Sequence, residues 1–471
     1  MERAGHEVSE VVEVEGHIID SLILAKVLDL VLAAGCDYET LDVDIGKSNR
    51  DVSRARIRID APDEATMSNL LVELQAHGAN RVDQGDARTV AADADGVLPA
   101  GFYSTTNLPT WVRLGGHWVP VANPEMDCGL LVGPVGPDGQ PVVRTVPMHR
   151  VRAGDRIVVG SEGVRVEPLE RRRHGAHFEF MNSEVSSEKP KGLVVSQVAA
   201  RIREVKARPP AAPGANGPGN RVLAVVGPAL IHTGAGPDLA RLVREGWIDV
   251  LFAGNGFATH DIESNVLGTS LGVSVGLGTP AEGGHANHLR VINEVRRRGS
   301  IAQAVESGWL TGGVMYECVR HQVPFVLGGS IRDDGPLPDT KANVVEAADA
   351  MRELLPGLGA ALILASTLHA IATGNLLPAW VETYCVDINQ AVVTKLADRG
   401  SHQALGIVTD VGLFVRELAE ALCGPAPGDS GGGGPRGSAL TGPARGPHGG
   451  PEEVSQAPAA VGWTQTGEAR P

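Results

Sequence analysis

The chain has few of the features that would assign it by composition alone. Its five cysteines, Cys36, Cys128, Cys318, Cys385 and Cys423, lie far apart with no C-x-x-C pair. That excludes a disulfide framework and a cysteine-rich zinc site, and it fits a reducing cytoplasm. No apolar run reaches the roughly 18 residues of a membrane span. The first residues, MERAGHEVSEVVEVEGH, are charged and lack a signal-peptide core. Cations are not in excess: 41 Lys and Arg stand against 56 Asp and Glu, for a net charge of -15. Neutralising phosphates needs clustered cations, so nucleic acids and anionic membranes are poor partners. Aromatics are scarce, at 4%. A soluble cytoplasmic protein is expected.

Glycine and proline are abundant, with 60 Gly and 31 Pro in 471 residues, against a typical share of about 12%. Part of the excess lies in the last 48 residues, where Gly and Pro supply 21. The tail as a whole, taken as 421–471, has no periodicity and predicts disorder. Residues 8–95 run strand, helix, strand, strand, helix, the order of a ferredoxin-like split unit. From 96 to 190, short β-rich runs separated by Gly, Pro and Asp predict a small β subdomain. Residues 191–220 read as a helix followed by the linker PPAAPGANGPGN. Over 221–420, apolar strand runs alternate with helical patterns. This predicts a Rossmann-type parallel sheet covered on both faces, in an α/β chain.

Ligands of open parallel sheets bind at the carboxyl ends of the strands, so the residues after each run matter most. They include Gly254-Asn255-Gly256, Gly328-Gly329-Ser330, Ser366-Thr367-Leu368-His369, Asp387-Ile388-Asn389 and Thr409-Asp410-Val411. Six strand ends carrying Gly, polar or acidic residues argue for a nucleotide-type crevice. Asp387 ends a strand about 20 residues after the Ser366 turn. There it can accept the ribose hydroxyls of NAD, with pyrophosphate at the helix N-terminus of Ser366–His369. It can equally cap a helix. No G-x-G-x-x-G occurs in this turn.

His260, Asp261 and Glu263 combine an imidazole with two acids beside a Gly-rich strand end, suited to moving protons on an amine. They also suit a helix start or, with His285 and His288, a divalent metal; no metal is expected. Asp333 and Asp334 lie in an Arg-Asp-Asp-Gly-Pro turn, which turn propensity alone would also produce. Cys318 reads as buried rather than nucleophilic. The polar string holding Asn182, Glu184, Ser187 and Lys189 fits helix capping or a zwitterionic amino-acid substrate.

Several long motifs then carry a resemblance over roughly residues 10–420. EGHIIDSLILAKVLDLVLAAGCDYETLDVDIGKSNRDVSRARI (15–57), FYSTTNLPTWVRLGGHWVPVANPEMDCG (102–129), FMNSEVSSEKP (180–190), FAGNGFATHDIES (252–264), GGSIRDDGPLPD (328–339) and CVDINQAVVTKLADRGS (385–401) resemble the LOR/SDH conserved-region family. That family includes archaeal-type NAD-dependent ornithine cyclodeaminases and the C-terminal half of cyanobacterial arginine dihydrolase/ornithine cyclodeaminases. With no guanidine-modifying domain before residue 15, arginine dihydrolase activity is not expected.

The resemblance implies NAD contacts from Asn255, Gly256, an Asp of the Arg332–Asp334 turn (Asp333 or Asp334), Ser366, Thr367, Leu368, His369, Asp387, Asp410 and Val411. The family usually has Ala at Gly256 and Met at Thr367, differences that a backbone contact survives. The implied reaction moves hydride from Cα of L-ornithine to NAD. The δ-amine then attacks, ammonia leaves and the hydride returns, giving L-proline. His260, Asp261, Glu263 and Asp334 are the chemical candidates for the proton transfers, and the protein is expected to be a homo-oligomer. An NAD-dependent amino-acid or saccharopine-type dehydrogenase, and a non-catalytic NAD- or amino-acid-sensing module, remain alternatives.

Overall fold

The computed structural model describes residues 8–425 except 17, 20–22, 48–50, 83, 137–138, 168–190, 213–215, 271–272, 275–285, 334, 393–394 and 396–403. Asn182, Glu184, Ser187, Lys189, His285, Asp334 and the tail after residue 425 therefore lie outside the described residues.

The N-terminal elements are β1 (Val8–Gly16), α1 (Ile23–Ala33), β2 (Asp37–Asp44), β3 (Ser53–Ala61), α2 (Glu64–Ala76) and β4 (Ala79–Arg81). They form one antiparallel sheet in the order β2-β3-β1-β4. Every second residue of β3 is buried, as a sheet with one covered face requires. Val27 and Val31 of α1 and Met67, Leu70, Leu71 and Leu74 of α2 cover it. Asp63 starts α2 by accepting the Thr66 N–H at 2.8 Å, an N-cap bond.

A second sheet follows. Its strands are β5 (Arg88–Ala91), β6 (Thr110–Leu114), β7 (His117–Ala122), β8 (Gly129–Val135), β9 (Pro141–Val146), β10 (Arg156–Val159) and β11 (Val164–Val166), in the order β11-β6-β7-β9-β8-β10-β5. β5 falls within the expected first unit, 8–95, yet it pairs with β10. The two sheets meet where Gln75 donates to the Val164 carbonyl at 2.9 Å and Asn80 to the Val166 carbonyl at 2.7 Å.

After α3 (Lys191–Lys206) comes the third sheet: β12 (Arg221–Val226), β13 (Val250–Gly254), β16 (Phe325–Gly328), β17 (Thr340–Lys341), β18 (Leu358–Leu364), β19 (Glu382–Asp387) and β20 (Ala404–Val408). All neighbours are parallel, in the order β17-β16-β13-β12-β18-β19-β20. The chain builds outward from β12 to one side, then restarts at β18 on the other. The switch point therefore lies between these two strands. Both are buried along nearly their whole length, which explains their unbroken apolar runs.

The connecting helices are α4 (Ala229–His232), α5 (Gly236–Arg244), α6 (Asn255–Leu267), α7 (Asn287–Arg298), α8 (Ile301–Glu306), α9 (Val314–Arg320), α10 (Val344–Leu354), α11 (Leu368–Leu376) and α12 (Val411–Cys423). A small hairpin, β14 (Thr269–Ser270) with β15 (Val273–Ser274), follows α6. One core cluster joins the sheet to α3, α5, α6, α9 and α12, and another joins it to α10 and α11, so both faces are covered. Among the described residues no helix is long and apolar enough to cross a membrane.

Candidate active site

A cavity of about 1000 Å³ opens over the carboxyl ends of β12, β13, β16 and β18. Its floor depends on glycine. A Cβ on Gly227, just past β12, would stand 1.9 Å from the Ala365 carbonyl oxygen just past β18. Only glycine lets the two turns at the switch point come this close. Ala365 has φ +48°, a left-handed conformation rare for a residue with a side chain. A Cβ on Gly254 would meet Nε2 of His369 at 2.8 Å, so the His369 ring crosses from the β18 turn to the end of β13.

Two helices begin at this cavity without a side-chain cap. The N-cap of α6 is Gly254 and that of α11 is Thr367, and neither makes a side-chain cap bond. The first-turn N–H groups at Asn255-Gly256-Phe257 and Leu368-His369 are thus left for a ligand. The Asn255 amide oxygen is occupied, accepting from the Leu337 N–H at 2.9 Å and the Thr340 hydroxyl at 3.2 Å. Asp333 lines the cavity and closes its own turn, accepting from the Ser330 N–H at 2.8 Å. Ser366, Thr367, Leu368 and His369 all line it.

Asp387, Asp410 and Val411 stand at the neighbouring ends of β19 and β20, beyond these walls. Asp387 is nearly buried and accepts the Asn389 N–H at 2.7 Å. Asp410 caps α12 through the Leu413 N–H at 2.8 Å. Beside them the Thr409 hydroxyl is buried without a partner, and Ile388 is exposed.

The opposite end of the cavity holds a dyad. His260 Nδ1 lies 2.9 Å from Glu263 Oε2, one helical turn along α6, where i and i+3 share a face. Glu263 is fully buried, and its Oε1 accepts the Thr269 hydroxyl at 2.8 Å. Asn287 donates to that hydroxyl at 2.9 Å. A carboxylate only accepts, so Nδ1 carries the proton and Nε2 is the ring's acceptor. His232, from α4, lines the same wall and meets His260 edge-on, with ring centroids 5.0 Å apart. The Thr259 hydroxyl is buried, lines the cavity wall through its residue, and has no partner. Burial lowers the His369 pKa, against an opposing pull from Asp333.

Asp261 does not join its neighbours. It is fully buried, and its two carboxylate oxygens accept the N–H groups of Val314 at 3.0 Å and Met315 at 2.8 Å, capping α9. Burial raises its pKa to about 6 despite those bonds. Its carboxylate, expected to handle protons, is engaged at the start of α9 and not at the cavity wall, because successive helical residues point about 100° apart. Nor is the cluster a helix start, since α6 begins five residues earlier, at Asn255. Cys318 is buried in α9. Among the described residues no group of three or more His, Cys, Asp or Glu could hold a metal ion.

A third wall comes from the second sheet and has no counterpart among the expected site residues. Glu125, Met126, Asp127 and Cys128 line the cavity beside Arg352 of α10. Thr105 clamps this loop, its hydroxyl donating to the Glu125 carbonyl at 2.5 Å and accepting from the Cys128 N–H at 3.0 Å. Arg352 binds Glu125 with Nε at 3.0 Å and Nη2 at 2.7 Å. The PEMD run was visible within the resemblance, but its partner sits 227 positions away. Likewise, nothing local links His232 to His260.

This is the site of a Rossmann-type enzyme: a strand-end crevice, uncapped helix starts, and a buried acid–imidazole pair. Residues 9–108 match the LOR/SDH bifunctional enzyme conserved region. Residues 109–195 match the first C-terminal region of the ArgZ-like arginine dihydrolases, and residues 196–418 their C-terminal Rossmann fold. The chain is 49% identical to the ornithine cyclodeaminase of Methanopyrus kandleri, over 88% of this chain and 97% of that protein. It is 50% identical to that of Methanocaldococcus jannaschii, over 87% and 95%. The bifunctional arginine dihydrolase/ornithine cyclodeaminase AgrE of Nostoc is 42% identical over 88% of this chain, which spans 58% of AgrE. The apo crystal structure of cyanobacterial ArgZ superposes with a TM-score of 0.75 at 38% identity, covering 88% of this chain and 58% of that one. A putative LOR/SDH protein from Methanococcus maripaludis gives 0.65 at 45% identity, covering 72% and 98%. The chain belongs to this LOR/SDH, ArgZ-like C-terminal family, which includes the archaeal ornithine cyclodeaminases.

Proposed function

We propose that this chain is an NAD-dependent ornithine cyclodeaminase, converting L-ornithine to L-proline and ammonia. The observation that carries the reading is His260, held by the buried Glu263, on the wall of the crevice at the switch point between β12 and β18, in a chain about half identical to archaeal ornithine cyclodeaminases along nearly their whole length.

The residues present suit the cofactor. Gly227 lets the two switch-point turns touch, Gly256 leaves open space above the start of α6, and the buried hydroxyls of Thr259 and Thr409 lack partners. The N–H groups at the starts of α6 and α11 would hold the pyrophosphate. Asn255 and Asp333 shape that wall, and Ser366–His369 form its turn. Asp387 would take the ribose hydroxyls, with Asp410 and Val411 at the next strand end. Exposed Leu368 and Ile388 offer apolar faces for the rings. Bound NAD supplies a hydride acceptor that later returns the hydride, so the reaction has no net redox change.

The protein's own work is proton transfer and exclusion of water. His260 Nε2 takes the proton that the α-ammonium must release before its carbon can become an imine carbon. Glu263 keeps the ring in the tautomer that allows this and stabilises the imidazolium. Asn182, Glu184, Ser187 and Lys189 stay proposed as substrate ligands and Asp334 as a supporting acid, in a cytoplasmic homo-oligomer.

Isotope-labelled ornithine given to the NAD-loaded protein is expected to yield labelled proline and free ammonia without added NADH. Accumulation of NADH with no proline would instead make this an ordinary amino-acid dehydrogenase. For the cofactor, Asp387→Ala is expected to weaken NAD binding by about tenfold to a hundredfold, the worth of a hydrogen bond to a charged acceptor. Calorimetric titration measures this, and unchanged affinity removes Asp387 from the site.

A further inference from the structure

The second imidazole, His232, has no role in the function as proposed so far. Yet the wall is built around both rings. Thr269 and Ser270 are adjacent residues of β14. Thr269 holds Glu263, which holds His260, while the Ser270 hydroxyl lies 2.7 Å from His232 Nδ1. One short strand therefore orients both imidazoles by their Nδ1 atoms. The rings lie 5.0 Å apart on one cavity wall, each with Nε2 as its remaining nitrogen. The two supports differ chemically. A carboxylate fixes one tautomer, whereas a hydroxyl both donates and accepts, and so tolerates either state of the ring.

The proton balance of the proposed reaction calls for two carriers. Ornithine enters with two ammonium groups and one carboxylate. Proline zwitterion and an ammonium ion leave with the same number of N–H protons, and the hydride removed from Cα cancels the hydride returned to it. Between those points two protons must be held. The α-ammonium gives up one as the carbon–nitrogen double bond forms. The δ-ammonium gives up another, because a protonated amine has no lone pair with which to attack. A bond then forms from the δ-nitrogen to Cα, and the bond from Cα to the original α-nitrogen breaks. One stored proton goes to the departing ammonia and the other to the ring nitrogen of proline.

We infer that His232 is the second proton carrier, deprotonating the δ-amine for ring closure and returning that proton to a product nitrogen, while the His260–Glu263 pair serves the α-nitrogen. This rests on the ornithine cyclodeaminase reading. The groups facing His232 are His260 and Glu263, with His288 on the same wall. Burial and His260 lower the His232 pKa, against an opposing pull from Glu263, so the ring is neutral and able to accept. Glu263 also offsets the repulsion when both rings are charged.

The test separates the two carriers. In NAD-loaded His232→Asn, ornithine is expected still to convert bound NAD to NADH, seen in the near-ultraviolet absorbance of the reduced cofactor. Proline release should fall by about 10²–10³, so the reduced form accumulates. Raising the pH, which deprotonates the δ-amine without help, should recover part of the rate, as should added imidazole with His232→Ala. Norvaline, which lacks the δ-amine, should reduce the bound cofactor equally in wild type and variant, and NAD affinity should be unchanged, showing an intact fold. Wild-type proline formation in the variant overturns the inference. So does equal loss of cofactor reduction and proline formation. If the wild-type protein makes neither product from ornithine, it is the cyclodeaminase reading that fails.

Discussion

His260→Asn is expected to lower turnover of ornithine by about 10²–10⁴, the usual worth of a positioned general base, while NAD affinity stays within about threefold. The variant keeps a planar polar group but has no atom that can hold a proton near neutral pH. Glu263→Gln should cost less, about 10–100-fold. Gln accepts the Thr269 hydroxyl as Glu does, but it no longer demands the Nδ1–H tautomer and does not stabilise an imidazolium. Asp261→Asn is the matched control. Its carboxylate touches α9 and not the cavity, so exchanging one acceptor oxygen for an amide costs about 1–3 kcal/mol of stability and leaves turnover within a few-fold. Steady-state kinetics beside thermal melting distinguish the three. A large loss of turnover in Asp261→Asn with an unchanged melt would return that residue to the reaction.

The second large effect is expected at Gly227→Val. The first atom of the side chain would already stand 1.9 Å from the Ala365 carbonyl oxygen. The obstacle is backbone on both sides, so rotamer adjustment cannot relieve it, and β12 and β18 must separate at the switch point. That overpacking should cost about 3 kcal/mol or more, lower the melting temperature by several degrees, and weaken NAD binding at least about a hundredfold. Calorimetry with the nucleotide and a melting curve test both halves. A variant that melts and binds NAD like wild type would mean that the two turns do not meet as described. Gly256→Ala is a useful contrast, because a Cβ there meets nothing within 4 Å.

The sequence by itself determined which pieces exist. Apolar periodicity marks β12, β13, β16, β18, β19 and β20 and the helices between them, because a strand buried on both faces reads as a continuous run and a helix as a 3.6-residue stripe. Glycine at the strand ends marked the crevice, since close backbone approach leaves few other residue types. The alternation of Ala55, Ile57 and Ile59 marked a sheet with one covered face. All of these are properties of neighbours along the chain.

Only the tertiary structure decided which of those neighbours face the cavity. His260, Asp261 and Glu263 are indistinguishable as a string. On α6 they point in different directions, and the packing of α9 against one side of that helix turned Asp261 into a cap while leaving His260 and Glu263 as a pair. Asp387 likewise joined its own turn through the Asn389 N–H, so spacing alone could not separate that cap from the ribose contact proposed for it. β5 looked like the end of the first unit and paired instead with β10, a partner more than sixty residues away. His232, the Thr105 clamp and the Glu125–Arg352 pair come from parts of the chain that have no local reason to meet. Their encounter is set by long-range assembly, such as the order in which six strands join β12 in one sheet, and order of that kind leaves no periodic trace in the residues that obey it.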